Sequence, residues 1–271
     1  MQIVELKEIT GEGPGLFYHL TDAQLRSKQE PEKGIFIAEG PKVVHTALDH
    51  GYMPVSLLMR KKFVDQPLGL EIIARCGDIP VYTAEDEVLA DLTGFKLQRF
   101  WVLCAMRRPA ALPIGPILQN AHRVAVLEGI TEPSNVGAIF RSAAALGADA
   151  ILLTPTCCDP LHRRSVRVCM GAVFTVPWAR TDAALGFPIL RENGFKTVGL
   201  ALKENCFSLD DPLLSAQDKL AIYLGTEDTG LTATAIDQCD YIAKIPMREG
   251  IDSLNVAAAA AVAFWELRVR K

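Results

Sequence analysis

Three segments of the chain carry residue types that could do chemistry, at spacings that gather them into loops. In EGITEPSNVGAIFRSAAALGA an apolar run over 124–129 enters a loop and then a helix expected to begin near Ser134, its N-cap, and to stop at Gly147. Gly137 and Arg141 lie four residues apart, and long side chains on a helix lean toward its N-terminus, so the Arg141 guanidinium is expected to reach back over Gly137 toward Asn135 and the free amides of the first turn. Such a group could hold a phosphate or an oxyanion. From this loop alone a salt-bridged surface arginine ranks slightly ahead.

In LAIYLGTEDTGLT a buried strand is expected to end at Gly225, with a helix after Gly230. The two glycines have phosphate-loop spacing, but Leu231 stands where a lysine is needed and Glu227 and Asp228 would repel a triphosphate, which disfavours nucleotide hydrolysis. A glycine at a strand end lets a flat ligand approach the backbone, and a loop carboxylate suits amine or hydroxyl groups. An ordinary turn with solvated acids is the alternative. In IAKIPMREGIDSLNVAAAAAVAFWEL an extended segment and a loop precede an alanine-rich helix that Ser253 or Asp252 could cap. Ile245 and Leu254 would wall a flat ring, and Ser253 and Asn255 bring polar groups beside it. Taken by itself, without the other two loops, this segment is best read as a core helix with a capping serine.

The elements that must position these loops follow from the surrounding pattern. At 271 residues the chain exceeds the usual single-core size, which predicts two domains or one with a long extension. Hydrophobic residues at 49% supply enough apolar side chains to offset chain entropy, so disorder is not expected. The proline-bearing stretch 107–122 separates two patterns and sets an N-terminal domain at 1–108, a linker at 109–122 and a second domain at 123–271. Before it, short strands are expected at 35–40, 54–60, 80–84 and 100–106, with helical stretches between them. One is PKVVHTALDHG, with Pro41 in its first turn and Gly51 at its C-terminal cap. After it, strands at 124–129, 150–154, 173–178, 196–202, 220–224 and 241–245 are mostly separated by helices. That alternation predicts an α/β fold, a largely parallel sheet with helices on both faces, whose ligands sit beyond the C-terminal strand ends.

A net charge of −4 is the opposite of the balance expected of a nucleic-acid binder, and neither half reverses it: residues 1–108 hold 13 basic and 15 acidic side chains, the rest 15 and 17. Nucleic-acid contacts must then come from local patches, with HRRSVR (Arg163, Arg164, Arg167) and Arg60, Lys61 and Lys62 as candidates. A solvated charged face is an equal account of each. Cysteines 76, 104, 157, 158, 169, 206 and 239 form no C-x-x-C pair and have no histidine at zinc-ligand spacing, so they are expected to be reduced, mostly buried thiols. The vicinal Cys157 and Cys158 fit small residues in a turn better than a redox pair. The start MQIVELKEIT lacks the basic head and apolar core of an export signal, and the longest apolar run, 256–265, is about half of the ~20 residues a membrane span needs. No membrane span and an intracellular compartment are expected.

The segments NVGAIFR, LGTEDTGL and IPMREGIDSLNV resemble, in order and spacing, the three motifs of the SpoU, or TrmH, family of SPOUT methyltransferases. The resemblance is strong over 120–271. Over 20–106 the chain is more weakly similar to that family's small N-terminal α/β substrate-binding domain, chiefly through LRSKQEPEKGIFIAEGPKVV. Two positions depart from the pattern: Gly250 comes one place late, and Ala257 stands where a serine is frequent.

The resemblance implies a parallel sheet whose C-terminal part is tied in a deep trefoil knot, a homodimer with the active site near the subunit interface, and a cytoplasmic RNA 2′-O-methyltransferase that uses S-adenosyl-L-methionine and no metal. Ribosomal RNA is favoured over transfer RNA because the N-terminal module suits a structured substrate. Gly225, Ile245 and Leu254 would hold the cofactor. Arg141 would bind the RNA phosphate or aid deprotonation of the ribose hydroxyl, with Asn135, Glu227, Ser253 and Asn255 shaping the site. A guanidinium with a pKa above ~12 is a poor base, which favours orientation and charge stabilisation for Arg141. The rival is a catalytically silent RNA-binding or ribosome-assembly factor on the same fold; a dinucleotide enzyme is disfavoured because no G-x-G-x-x-G opens a strand-to-helix turn.

Overall fold

The structure is a computed structural model that describes residues 3–18, 21, 24, 34–93, 101–181, 186–248 and 253–270. The chain divides into two compact units, Met1–Ala110 with Leu161–Phe174, and Ala111–Pro160 with Thr175–Lys271. The expected 123–271 domain is therefore interrupted, because the segment containing HRRSVR clusters with the first unit.

In the first unit the elements are β1 (Ile3–Leu6), β2 (Ile35–Glu39), α1 (Pro41–Asp49), β3 (Pro54–Arg60), α2 (Pro67–Cys76), β4 (Val81–Ala84), α3 (Asp86–Thr93) and β5 (Val102–Arg107). Its sheet runs β1-β4-β3-β5-β2, parallel on the β1 side and antiparallel at β5. The expected strands are present, and α1 starts at Pro41 as expected. Strand β1 was not anticipated. Phe174, from the later segment, packs with Phe36 and Tyr52, ring centroids 5.6 and 4.7 Å away. Glu39 at the end of β2 accepts a hydrogen bond from Arg163 at 3.1 Å and pairs with Arg167 at 3.7 Å. These contacts are why Leu161–Phe174 belongs to this unit.

The second unit contains α4 (Ile114–Gln119), β6 (Arg123–Leu127), α5 (Pro133–Leu146) and β7 (Ala150–Leu153). The Leu161–Phe174 segment then supplies α6 (Arg163–Val168) to the first unit, and the second continues with β8 (Trp178–Arg180), α7 (Gly186–Glu192), β9 (Lys196–Leu200) and β10 (Phe207–Ser208). It closes with β11 (Leu220–Leu224), α8 (Ala233–Gln238), β12 (Tyr241–Lys244) and α9 (Val256–Glu266). Its seven strands run β10-β12-β9-β11-β6-β7-β8, every pair parallel. Buried side chains including Leu152, Phe187, Leu190, Ala221 and Tyr223 make its core. The alternation of apolar strands and helices thus gave the parallel sheet.

Several local expectations are corrected. The strand expected at 173–178 is a 3-10 turn, Ala172–Phe174, followed by β8, because Met170 and Gly171 take positive φ of 55° and 88° and turn the backbone. The 109–122 segment carries α4, with Pro113 as its N-cap. Helix α5 begins at Pro133, and its N-cap is Glu132, whose carboxylate accepts from the Ser134 amide; Gly147 ends it in a left-handed turn, as expected. Helix α9 is capped by Asn255 in place of Ser253 or Asp252. Asp252 and Gly250 lie outside the described residues, as does much of the N-terminal stretch likened to the family.

Helix α9 packs chiefly on α5, and its buried Ala257, Ala260 and Ala263 let the axes approach. Its far end is held by Arg123, a buried arginine at the start of β6. Arg123 donates through Nε to the Leu267 carbonyl and through its terminal nitrogens to the carbonyls of His122 (2.9 Å), Asp218 (2.8 Å) and Ser215 (3.3 Å). Burial lowers its pKa, opposed by Asp149 and Asp218. Replacing Arg123 with alanine leaves these carbonyls without their charged donor; the expected loss is about 3 kcal/mol of unfolding free energy, measured by urea denaturation.

Candidate functional site

Strands β11 and β6 lie side by side in register, Leu224 opposite Leu127, so their C-terminal loops emerge together. Beyond the ends of β9, β11 and β12 lies a cavity of about 400 Å³. Gly225, Glu227, Ile245, Ser253 and Leu254 line it, as sequence and resemblance had expected of a common site. The stretch Leu200–Lys203, from the last residue of β9 onward, lines it too and was missed. The signal was available, since a parallel strand at 196–202 must end on the same edge as its neighbours.

Gly225 lines the cavity and also serves the loop itself. The loop folds back on it, closed by reciprocal hydrogen bonds between Thr226 and Gly230, both 3.1 Å. A Cβ at Gly225 would stand 2.2 Å from the Gly230 carbonyl carbon and 2.3 Å from the Leu231 nitrogen. The absent side chain makes room for the loop's own backbone. Gly230 supplies the turn, at φ 68°.

Glu227 projects from this loop and is gripped by two amides. Asn135 Nδ2, on a buried residue in the first turn of α5, donates to Glu227 Oε1 at 2.8 Å. Asn255 Nδ2 donates to the same oxygen and to Asn135 Oδ1 at 3.1 Å. Asn255 Oδ1 meanwhile accepts from the amides of Ala257 (3.0 Å) and Ala258 (3.3 Å), capping α9. Three loops that are far apart in sequence therefore meet at one carboxylate.

Arg141 does not join this group. It is exposed, has no hydrogen-bond or ion-pair partner among the described residues, and is not part of the cavity lining. At 3.6 residues per turn it stands about 120° around α5 from Asn135, so reaching back along the helix does not bring it to that residue. The first-turn amides are also served by Glu132, whose carboxylate takes the place the sequence had left for an anion. The candidate basic patches are largely committed elsewhere: Arg60 pairs with Asp86, Lys61 with Glu5 (2.7 Å) and Glu85 (3.1 Å), and Arg163 and Arg167 with Glu39.

Behind the loop, Tyr223 of β11 stacks on Phe187 at 4.5 Å, and burial raises its phenol pKa. Burial pushes the Cys239 thiol up to about 12, so it is protonated at neutral pH and offers no thiolate. All seven cysteines are free. Besides Glu227, the cavity lining carries Asp228, Lys203, Lys244 and the hydroxyl-bearing Thr226, Thr229 and Ser253.

Comparison with known proteins follows the same lines. Residues 122–265 match the model of the SpoU rRNA Methylase family. The chain is 37% identical, over 92% of its length and 86% of the relative's, to a Mycobacterium bovis protein described as an uncharacterized tRNA/rRNA methyltransferase. It is 26% identical over 90% of its length to the 23S rRNA (guanosine(2553)-2′-O)-methyltransferase of Bacillus subtilis, covering 93% of that protein. Among solved structures it resembles the AdoMet-bound rRNA methyltransferase of Sinorhizobium meliloti, with a TM-score of 0.84 and 25% identity over 98% of this chain and 97% of the other.

Two substitutions separate the parts of this site. Gly225→Ala forces the loop off its own strand and is expected to cost about 1–3 kcal/mol in thermal unfolding while reshaping the cavity, which ligand titration would reveal as lost binding. Asn255→Asp keeps the oxygen that caps α9 but sets a second carboxylate against Glu227. Its melting temperature should stay above that of Asn255→Ala, which forfeits about 1 kcal/mol of capping, while both lose the grip on Glu227.

Proposed function

Because this chain belongs to the SpoU rRNA Methylase family, we propose that it transfers a methyl group from S-adenosylmethionine to a ribose 2′-hydroxyl of RNA, with ribosomal RNA the favoured substrate. The observation that carries this reading is the cavity at the C-terminal strand ends, with Ile245 and Leu254 as apolar walls beside the amide-held Glu227. A volume of about 400 Å³ with mixed polar and apolar lining suits a nucleoside-sized ligand. The ribose assignment is supported by the B. subtilis relative, whose name specifies 2′-O-methylation of 23S rRNA.

S-adenosylmethionine, when bound, supplies an electrophilic methyl group on a sulfonium. Gly225, Ile245 and Leu254 would hold it, by backbone approach and apolar packing. The chain's own contribution is alignment and charge. Asn135 and Asn255 fix one oxygen of Glu227, so the carboxylate has one orientation and its other oxygen can accept a hydrogen bond from a hydroxyl or an ammonium. Ser253 adds a hydroxyl at the cavity wall. Arg141, exposed and unpaired among the described residues, is suited to an RNA phosphate.

The same reading takes 1–108 as the RNA-binding domain, 109–122 as the segment joining it to the rest, and 123–271, apart from the Leu161–Phe174 segment that clusters with the first unit, as the methyltransferase domain, with a trefoil knot in its C-terminal part and a cytoplasmic location. Homodimerisation is supported by exposed Val262 and Trp265 on α9 and Val269 just beyond it. A catalytically silent assembly factor has no need of Glu227's two-amide grip, which favours the enzyme.

The test is methyl transfer from labelled S-adenosylmethionine to ribosomal RNA stripped of native modification, with the product mapped as a 2′-O-methyl nucleotide. Arg141→Ala should lower turnover by about 100-fold with cofactor affinity unchanged, and Arg141→Lys should recover little of it, since lysine keeps the charge but loses the planar fork. A folded wild-type protein that binds the cofactor yet methylates no RNA counts for the silent factor.

A further inference from the structure

The loop Gly225–Leu231, every residue of which lines the cavity, is fastened at both ends by one residue outside it. Glu128 follows β6 directly. Its backbone N–H donates to the Leu224 carbonyl at 2.9 Å, the last residue before the loop. Its carboxylate accepts from the Thr232 amide at 3.0 Å and from the Thr232 hydroxyl at 2.8 Å, the first residue after the loop. Thr232 Oγ1 in turn accepts from the Ala235 amide at 3.2 Å and so caps α8. Glu128 is not part of the cavity lining. Inside the loop, the Thr226–Gly230 pair and the Thr226–Thr229 hydroxyl contact at 2.9 Å brace the remainder.

We infer that Glu128 is a positioning residue for the cofactor loop, acting through Thr232. A seven-residue loop free at one end would spend entropy on ordering each time ligand bound, and a two-point fastening removes that cost beforehand. The carboxylate suits this because one side chain can accept from an N–H and an O–H together, and charged acceptors make the stronger bonds. The inference rests on the reading of the cavity as the S-adenosylmethionine site.

The experiment is calorimetric titration of S-adenosylmethionine into the full chain and its Glu128 and Thr232 variants. Glu128→Ala and Thr232→Val should each weaken binding by about tenfold, and the double variant by no more than the weaker single, because both cut one interaction. Thr232→Ser keeps the hydroxyl and should bind like the wild type. Glu128→Gln, able to accept from the amide and donate to the hydroxyl, should lose less than Glu128→Ala. Turnover at saturating cofactor should stay within about twofold, so that the defect lies in affinity, which a general loss of structure would not achieve. Should Glu128→Ala fail to fold by circular dichroism, Glu128→Asp, which keeps the charge but shortens the reach, takes its place. A wild-type chain that binds no cofactor overturns the cavity's assignment. Wild-type binding that the Glu128 variants leave unchanged, or single losses that multiply in the double variant, overturn the inference alone.

Discussion

One carboxylate oxygen, Oε1 of Glu227, sets the geometry on which the second unit's site depends. It accepts from Asn135 and Asn255, side chains that are 92 and 28 residues away along the chain. Asn255 cannot be moved to improve one contact without spoiling another, because its oxygen starts α9 while its nitrogen holds Glu227. The position of the last helix against α5 and the orientation of the acid are therefore the same constraint. Removing any one of the three groups strands the polar atoms of the other two, and that cost is larger than the net worth of a single hydrogen bond.

Charge is spent in the same economical manner. The net charge is −4, and the two arginine and lysine clusters visible in the sequence are mostly bound to nearby acids. Glu39 alone engages Arg163 and Arg167, and in doing so fixes the Leu161–Phe174 segment in the first unit. These cations order the protein.

How much the sequence revealed depends on the range of the interactions involved. Strands β3 and β11 were legible to the residue, because apolar runs bounded by turn residues are local signals. The meeting of Gly225, Ile245 and Leu254 at one cavity was legible too, since parallel strands deliver their C-terminal loops to one edge. What the sequence did not show was several local features decided by distant partners. Phe174 looks like a strand residue, yet its ring is used against Phe36 and Tyr52, far away in sequence. The caps at Glu132 and Asn255 displaced the serines expected there, because several oxygens in each loop could cap and tertiary contacts selected among them. Glu128 gave no motif at all, since its partner lies 104 residues on.

Arg141 shows how far helical geometry alone can carry an argument. Spacing put it over Gly137, but Asn135 lies about a third of a turn away around the helix, so the guanidinium and the amide-held acid do not share a face. Helix α5 buries Asn135, Val136, Ile139 and Phe140 and exposes Arg141. An exposed cation without an internal partner keeps its full hydration until something anionic and well shaped replaces the water. On this chain the acid and the cavity are preorganised, and the cation is held in reserve on the outer face of the same helix. A phosphate brought by RNA would meet it at little cost in protein rearrangement.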